Sequence, residues 1–330
     1  MISSYSIRNL QFSYSNQPIL SIDSLDIPAS QVIALVGPNG AGKTTLLHLF
    51  AFLITAQKGS ISFFGDHFSD SDLIKFRRKV GLLPQNPYLL KFSTIENVAI
   101  GLKLRGVPRG EANRMAQEAL KKVGMEGYES RWPNSLSGGE AQRIALARTL
   151  ALNPDVFLFD EPGNHLDSES VRRAEKMILD LNRNQNKTVI FTTHNLSFAQ
   201  NLTDSIIHMF EGHVVPTAPY NLFRGRIINE GRVFDTGSIQ FDISGTTGQG
   251  STLLIDPCKI SFSTRQEFDN LPNVFYGKMV SISLFRNVVR IEALVGEKFE
   301  IHTSVSPETS RLCIGEEIRV YVSPDAMTIV

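Results

Sequence analysis

Two cysteines, Cys258 and Cys313, are all the thiol in these 330 residues, and no C-x-x-C pair occurs. That excludes a zinc ribbon and a disulfide framework, and it leaves both thiols to be read as buried side chains. The chain also has no surplus of either charge, since 33 Lys and Arg offset 33 Asp and Glu. Without a net positive field nothing gathers phosphate backbone or anionic lipid, so nucleic acid is not an expected partner. No apolar run approaches the ~18 residues that a spanning helix needs. The opening residues, MISSYSIRNLQFSYS, have neither the basic stretch nor the apolar core of a signal peptide. By itself the chain is expected to be cytosolic. Glycine (24) and proline (15) are ordinary, and 42% hydrophobic with 20% charged residues is a folding composition rather than a disordered one. The length exceeds the ~250–300 residues at which one core stops growing, so two domains are expected.

Three short runs, Val32–Val36, Val156–Phe159 and Thr188–Thr193, are apolar almost throughout rather than alternating. Strands covered on both faces look like this. Helical spacing predicts helices over Thr44–Leu53 and Gln142–Leu152, which gives an α/β class for residues 1–215. Between Pro87 and Pro133 the signal is helical, with Met115, Ala116, Ala119, Leu120 and Val123 on one stripe, so a helical subdomain is expected at about 86–135. From Asn221 to Val330 the runs are short, rich in Val, Ile, Phe and Thr, and punctuated by glycine, as in a small all-β, barrel-like domain. Asn221-Leu222-Phe223-Arg224-Gly225-Arg226 matches Asn273-Val274-Phe275-Tyr276-Gly277-Lys278, and Leu254–Pro257 matches Tyr321–Pro324. Two related halves are implied.

Gly37-Pro38-Asn39-Gly40-Ala41-Gly42-Lys43-Thr44, followed by Thr45, satisfies G-x-x-x-x-G-K-[ST] between an apolar strand and a helix. Glycines at 37, 40 and 42 let backbone N–H groups wrap phosphate oxygens at a helix N-terminus. Lys43 pairs with the β- and γ-phosphates in such a loop, and the Thr44 hydroxyl ligates Mg²⁺. Asp160 and Glu161 end the strand Val156–Phe159, where an open α/β sheet presents its chemistry. Asp160 is placed to hold Mg²⁺, and Glu161 to orient or deprotonate the water that attacks the γ-phosphorus. This much fits any P-loop nucleotidase, including a kinase or a GTPase.

Leu136-Ser137-Gly138-Gly139-Glu140, continued by Ala141-Gln142-Arg143, narrows the choice. Over residues 1 to about 215 the chain resembles the ATP-binding cassette (ABC) ATPases, whose signature is LSGGQ followed by QR. The resemblance implies further roles. Tyr14 is similar to the aromatic on which adenine stacks, and Gln85 to the glutamine that touches Mg²⁺ and reports to the helical subdomain. Asp167 resembles the aspartate at the subunit seam, and His194 the histidine that bonds the γ-phosphate. In that family cassettes pair head to tail, so that Ser137, Gly138 and Gly139 of one chain meet ATP held by Lys43 of another. One P-loop and one signature imply a dimer, with itself or with a second cassette chain, and a homodimer is the expected form. Departures are Ser30-Gln31, where many relatives have Gly-Glu, and Asn164-His165 before Leu166-Asp167, where importers often have Ser-Ala.

A cassette followed by a small β domain resembles the importer ATPases that carry a TOBE (OB-like) domain, and Asn273–Val330 looks most like the molybdate and tungstate members. The resemblance implies an ATPase peripheral to the cytoplasmic face of the membrane, with integral permease subunits and, indirectly, a periplasmic or extracellular solute-binding protein. Hydroxyls and N–H groups at Thr303–Ser306 are candidates for an oxyanion, although Ser323-Pro324 stands where such members tend to have a lysine. Pro87–Phe92, unusually apolar for a loop, is a candidate groove for a permease helix. Importers of sugar, polyamine or iron, and a cytosolic cassette without a transport role, are the alternatives.

Overall fold

In the computed structural model the three apolar runs lie side by side. The structure describes residues 2–67, 73–163, 168–215, 221–244, 246, 250–265, 267–268, 271–285, 288–306 and 309–330, without the side chains of 168–170 and 285. The chain divides into two units, Met1–Val214 and Val215–Val330.

In the first unit, a six-stranded sheet runs in the order β10 (His213–Val215), β9 (Ile206–Phe210), β3 (Val32–Val36), β8 (Thr188–Thr193), β7 (Val156–Phe159), β6 (Val80–Leu83). The pairs β6/β7, β7/β8, β8/β3 and β3/β9 are parallel. Successive residues of a strand face opposite sides, and β3 shows why its run is unbroken. Val32, Ala34 and Val36 enter one core with Phe157, Phe159 and Phe191. Ile33 and Leu35 enter another with Leu158 and Ile190. Helices α3 (Thr94–Leu104), α4 (Arg109–Lys122), α5 (Gly138–Ala151), α6 (Ser168–Arg183) and α7 (Leu196–Leu202) contribute to the first core. The second is closed by α1 (Lys43–Phe50), α2 (Leu73–Arg77) and an antiparallel sheet in the order β2 (Gln17–Pro28), β1 (Ser3–Tyr14), β4 (Lys58–Phe63), β5 (Asp66–His67).

Two predicted helices have different bounds. α1 stops at Phe50 rather than Leu53, because Phe52 takes a left-handed φ of 57° and buries its ring against Tyr5, Phe63 and Phe76. α5 starts at Gly138 rather than Gln142, because Ser137 and Glu140 form a capping box that begins the helix on the two glycines. The thiols also differ from expectation. Cys258 and Cys313 are both exposed, since each sits in a turn segment rather than on an apolar strand face.

The described residues of the second unit form strands and short 3₁₀ turns, with no α-helix. Three sheets run β11 (Asn221–Arg224), β15 (Thr252–Ile255), β21 (Met327–Ile329); β12 (Arg226–Ile228), β13 (Val233–Asp235), β14 (Gln240–Asp242); and β16 (Ile260–Ser263), β20 (Glu317–Val322), β17 (Val274–Phe285), β18 (Val288–Val295), β19 (Glu297–Ser304). Strands are exchanged between the halves. β16, which follows the first half, pairs with β20, and β21, which follows the second, pairs with β15.

The asparagines that head the matching segments work reciprocally. Asn221 accepts from the Glu300 N–H (2.6 Å) and donates to the Glu300 carbonyl (2.7 Å). Asn273 accepts from the Asp242 N–H (2.6 Å) and donates to the Asp242 carbonyl (2.8 Å). Each amide imitates one rung of a β-ladder across the halves. Asn221→Ala should orphan both backbone groups of Glu300 and cost about 2–4 kcal/mol. Urea unfolding of this unit, followed by amide exchange in β11 and β19, measures that loss.

Candidate active site

The phosphate loop is shaped by what lies behind it. A Cβ on Gly37 would come within 2.1 Å of the Met209 carbonyl oxygen on β9, so only glycine lets the loop leave β3 there. Gly42 caps α1 with φ 91° and lies against Leu20 of β2, a pairing partner of Phe12. The same β1–β2 hairpin turns at Ser15–Asn16 and carries half-exposed Tyr14. Tyr14 stacks edge-on to Phe12 at 4.8 Å, leaving the rest of its ring in solvent. Pro38, Asn39 and Gly40 are exposed, and Thr45 is buried under the loop.

Lys43 is only 6% exposed, and its ammonium donates to the carbonyls of Gly37 (2.8 Å) and Pro38 (3.0 Å). Burial holds its pKa below the ordinary lysine value, while Glu161 and Asp160 push the other way. Each carboxylate favours the charged ammonium against that burial.

Those carboxylates end β7. The Asp160 carboxylate accepts from Thr44 Oγ1 (2.9 Å to Oδ2) and from Thr192 Oγ1 (2.6 Å to Oδ1), and the Glu161 N–H donates to Thr192 Oγ1 at 2.9 Å. Buried Glu161 has a left-handed φ of 50°, a conformation that costs an ordinary residue of order 1 kcal/mol or more and turns up at functional sites. One of its oxygens lies 3.8 Å from Lys43 Nζ, and the other 3.1 Å from His194 Nδ1. Lys43, Thr44, Asp160, Glu161 and His194 are therefore brought together.

Thr192 is the member that sequence reasoning missed. In a run spelled TVIFTT its hydroxyl looks like part of a β-branched strand former, yet it is fully buried and bonds both carboxylate residues. Gln85 is exposed just beyond β6; that strand's Leu83 carbonyl accepts from the Asp160 N–H (2.9 Å), which puts Gln85 next to the site without a direct contact to it. Asp167 lies outside the described residues.

For a metal, the available donors are hard oxygens, the Thr44 hydroxyl and the Asp160 carboxylate. Among the described residues no group of three His, Cys, Asp or Glu forms a closed cage. That donor set suits an ion such as Mg²⁺, which keeps much of its shell for phosphate oxygens and water.

The signature segment is built differently. Ser137 Oγ accepts from the Glu140 N–H (3.3 Å), and Glu140 Oε2 accepts from the Ser137 N–H (2.7 Å). The Ser137 bonds and a bond from Tyr128 hold the Glu140 carboxyl below its usual pKa. Gly138 and Gly139 have ordinary φ values, and a Cβ on either would meet nothing within 4 Å. Among the described residues, no contact at the Cβ position requires glycine at these two positions. In the second unit, Ser306 and Thr309 satisfy each other, N–H to hydroxyl in both directions (2.8 and 3.1 Å), and Thr303 pairs with Val289 on the neighbouring strand.

The ABC transporter family model matches residues 20–164. The tungstate uptake system ATP-binding protein TupC of Peptoclostridium acidaminophilum is 37% identical over 208 residues, 63% of this chain and 95% of the relative. The sulfate/thiosulfate import ATP-binding protein CysA of Bacillus cereus is 33% identical over 359 aligned positions, 99% of this chain and 98% of the relative. The chain belongs to the ABC transporter family. It is an ATP-binding subunit of the importer type, an ATP hydrolase whose turnover is coupled to transport. Among solved structures, the cassette MJ0796 in a dimeric post-hydrolysis state with ADP and Pi is 30% identical with a TM-score of 0.59, over 64% of this chain and 96% of that one. CbiO1 of Clostridium perfringens, part of the transporter complex CbiONQ, is 27% identical at TM-score 0.59, over 65% and 88%. The matched residues 20–164 all lie in the first unit. No helix among the described residues is long and apolar enough to cross a membrane.

Proposed function

We propose that the chain is the ATPase subunit of an importer for a tetrahedral oxyanion, tungstate or molybdate, and that it works as a homodimer with ATP between the copies. The observation that carries the nucleotide part is the convergence of Lys43, the Thr44–Asp160 pair and the Glu161–His194 pair on one loop. Lys43 neutralises the β- and γ-phosphates, and loop N–H groups from Gly37 to Thr45 hold their oxygens. Thr44 and Asp160, with Gln85 beside them, would hold Mg²⁺, which would supply positive charge to neutralise the phosphates. Glu161 takes a proton from the attacking water as its oxygen bonds to the γ-phosphorus, and the bond to the ADP oxygen breaks. His194 fixes the second Glu161 oxygen and reaches the γ-phosphate, and Tyr14 stacks on adenine. Ser137, Gly138 and Gly139 act on the ATP of the other copy, with Asp167 at the seam. The vacant space around the two glycines supports that reading.

Beyond the nucleotide, Pro87–Phe92 receives an integral permease, a solute-binding protein works outside the membrane, and the ATPase stays peripheral on the cytoplasmic side. The β unit is of the TOBE type, built from two related halves after a cassette that ends near residue 215. Similarity to TupC supports tungstate. A second reading, sulfate or thiosulfate, is favoured by the CysA alignment, which runs through both units. Tungstate and sulfate are both tetrahedral dianions. Loss of the gene should abolish high-affinity tungstate and molybdate uptake, with rescue by the parent chain and none by Lys43→Ala, which loses its phosphate clamp. Intact tungstate uptake with lost sulfate uptake would reassign the solute. Oxyanion binding by Thr303–Ser306 would appear as heat in calorimetry of the full chain with tungstate, molybdate or sulfate.

A further inference from the structure

The segment between β6 and α3, residues 84–93, leaves the site at Gln85 and is then gripped from two sides. From α3, fully buried Asn97 accepts from the Leu90 N–H (2.8 Å) and donates to the carbonyls of Leu90 (3.0 Å) and Phe92 (3.0 Å). From the last turn of α5, both terminal nitrogens of Arg148 donate to a single acceptor, the Tyr88 carbonyl, at 3.2 Å each. Leu89 is buried in the core beneath, while Tyr88 and Phe92 keep 69% and 44% of their surface exposed. The backbone is fixed and the aromatic side chains are offered outward.

Arg148 is partly buried, and burial pulls its pKa below the ordinary guanidinium value. Both of its bonds go to one carbonyl and none to a carboxylate among the described residues. What the arginine adds is a link. α5 begins at Ser137–Gly139 and holds Arg148 roughly 16 Å further along its axis.

We infer that Arg148 is a positioning residue that clamps the Tyr88–Phe92 loop to α5, so that the segment leaving Gln85 and the helix presenting Ser137–Gly139 move as one body. The inference rests on the proposed composite ATP site, in which Gln85 and Ser137 belong to the two nucleotide pockets. It assigns Arg148 no contact with nucleotide.

The test uses the full-length chain with R148M and R148K. Without nucleotide, amide exchange at Leu89, Leu90 and Phe92 should rise about tenfold in R148M, the loss of one hydrogen-bonded anchor. ATP affinity should stay within about twofold while kcat falls about tenfold, and R148K, which can still donate to the Tyr88 carbonyl, should recover most of both. Unchanged loop exchange in R148M, or R148K and R148M behaving alike, would overturn the clamp. If R148M does not fold, the parent chain decides the matter. Amides at 89–92 and 138–141 should then change exchange at one shared ATP midpoint, and two separated midpoints would refute the link. The exchange readout needs no turnover, so a chain that bound ATP without hydrolysing it would defeat the functional proposal and leave the clamp testable.

Discussion

Glu161→Gln should bind ATP as tightly as the parent chain and release phosphate at least about 100-fold more slowly, the usual contribution of a positioned general base. The change is nearly isosteric. The amide oxygen can keep the place 3.8 Å from Lys43 Nζ, and the amide nitrogen the place 3.1 Å from His194. What goes is the capacity to accept a proton from water, together with one negative charge beside the triphosphate. The first loss stops cleavage. The second removes repulsion from the γ-phosphate, so a dimer loaded with ATP should accumulate and elute at twice the monomer mass, while ADP should give monomer. Single-turnover phosphate release, nucleotide titration and size exclusion measure the three effects separately. Turnover within about threefold of the parent would take Glu161 out of the proton-transfer role and leave the carboxylate as a structural neighbour of Lys43.

What the sequence disclosed and what it concealed follow one physical division. The phosphate loop was legible because its residues are neighbours in the chain, and a strand, a glycine-rich turn and a helix N-terminus make a local instruction. Asp160 and Glu161 were legible because an apolar strand stops at them. Thr192 was not, since its role is set by bonds to residues 32 and 31 positions away, and nothing within TVIFTT separates a bonding threonine from a packing one. The start of α5 was misjudged for a related reason: two glycines argue against a helix by propensity, and the reciprocal Ser137–Glu140 bonds outweigh them. The match between Asn221 and Asn273 could be seen as similarity, but not its purpose, because each amide bonds a strand 79 or 31 residues distant. Exposure of Cys258 and Cys313 escaped notice because a thiol carries no local signal of which way a turn faces.

The signature glycines separate stability from activity most sharply. Gly139→Leu should leave the chain about as stable as the parent, because glycine in a helix is disfavoured by up to about 1 kcal/mol and a Cβ added there meets nothing within 4 Å among the described residues. ATP hydrolysis should nevertheless fall about 100-fold if the space around Gly139 is where another copy's triphosphate must enter, since a developing charge there would lose its donors. Mixing makes the argument decisive. Gly139→Leu chains keep a sound Lys43 loop, and Lys43→Ala chains keep a sound signature, so a mixed dimer contains one pocket with both. Each variant alone should be nearly inactive, and the mixture should regain hydrolysis that rises with the fraction of mixed dimers. A mixture no more active than its parts, or Gly139→Leu that hydrolyses ATP normally, would place the whole reaction within one chain and leave the two open glycines without a function.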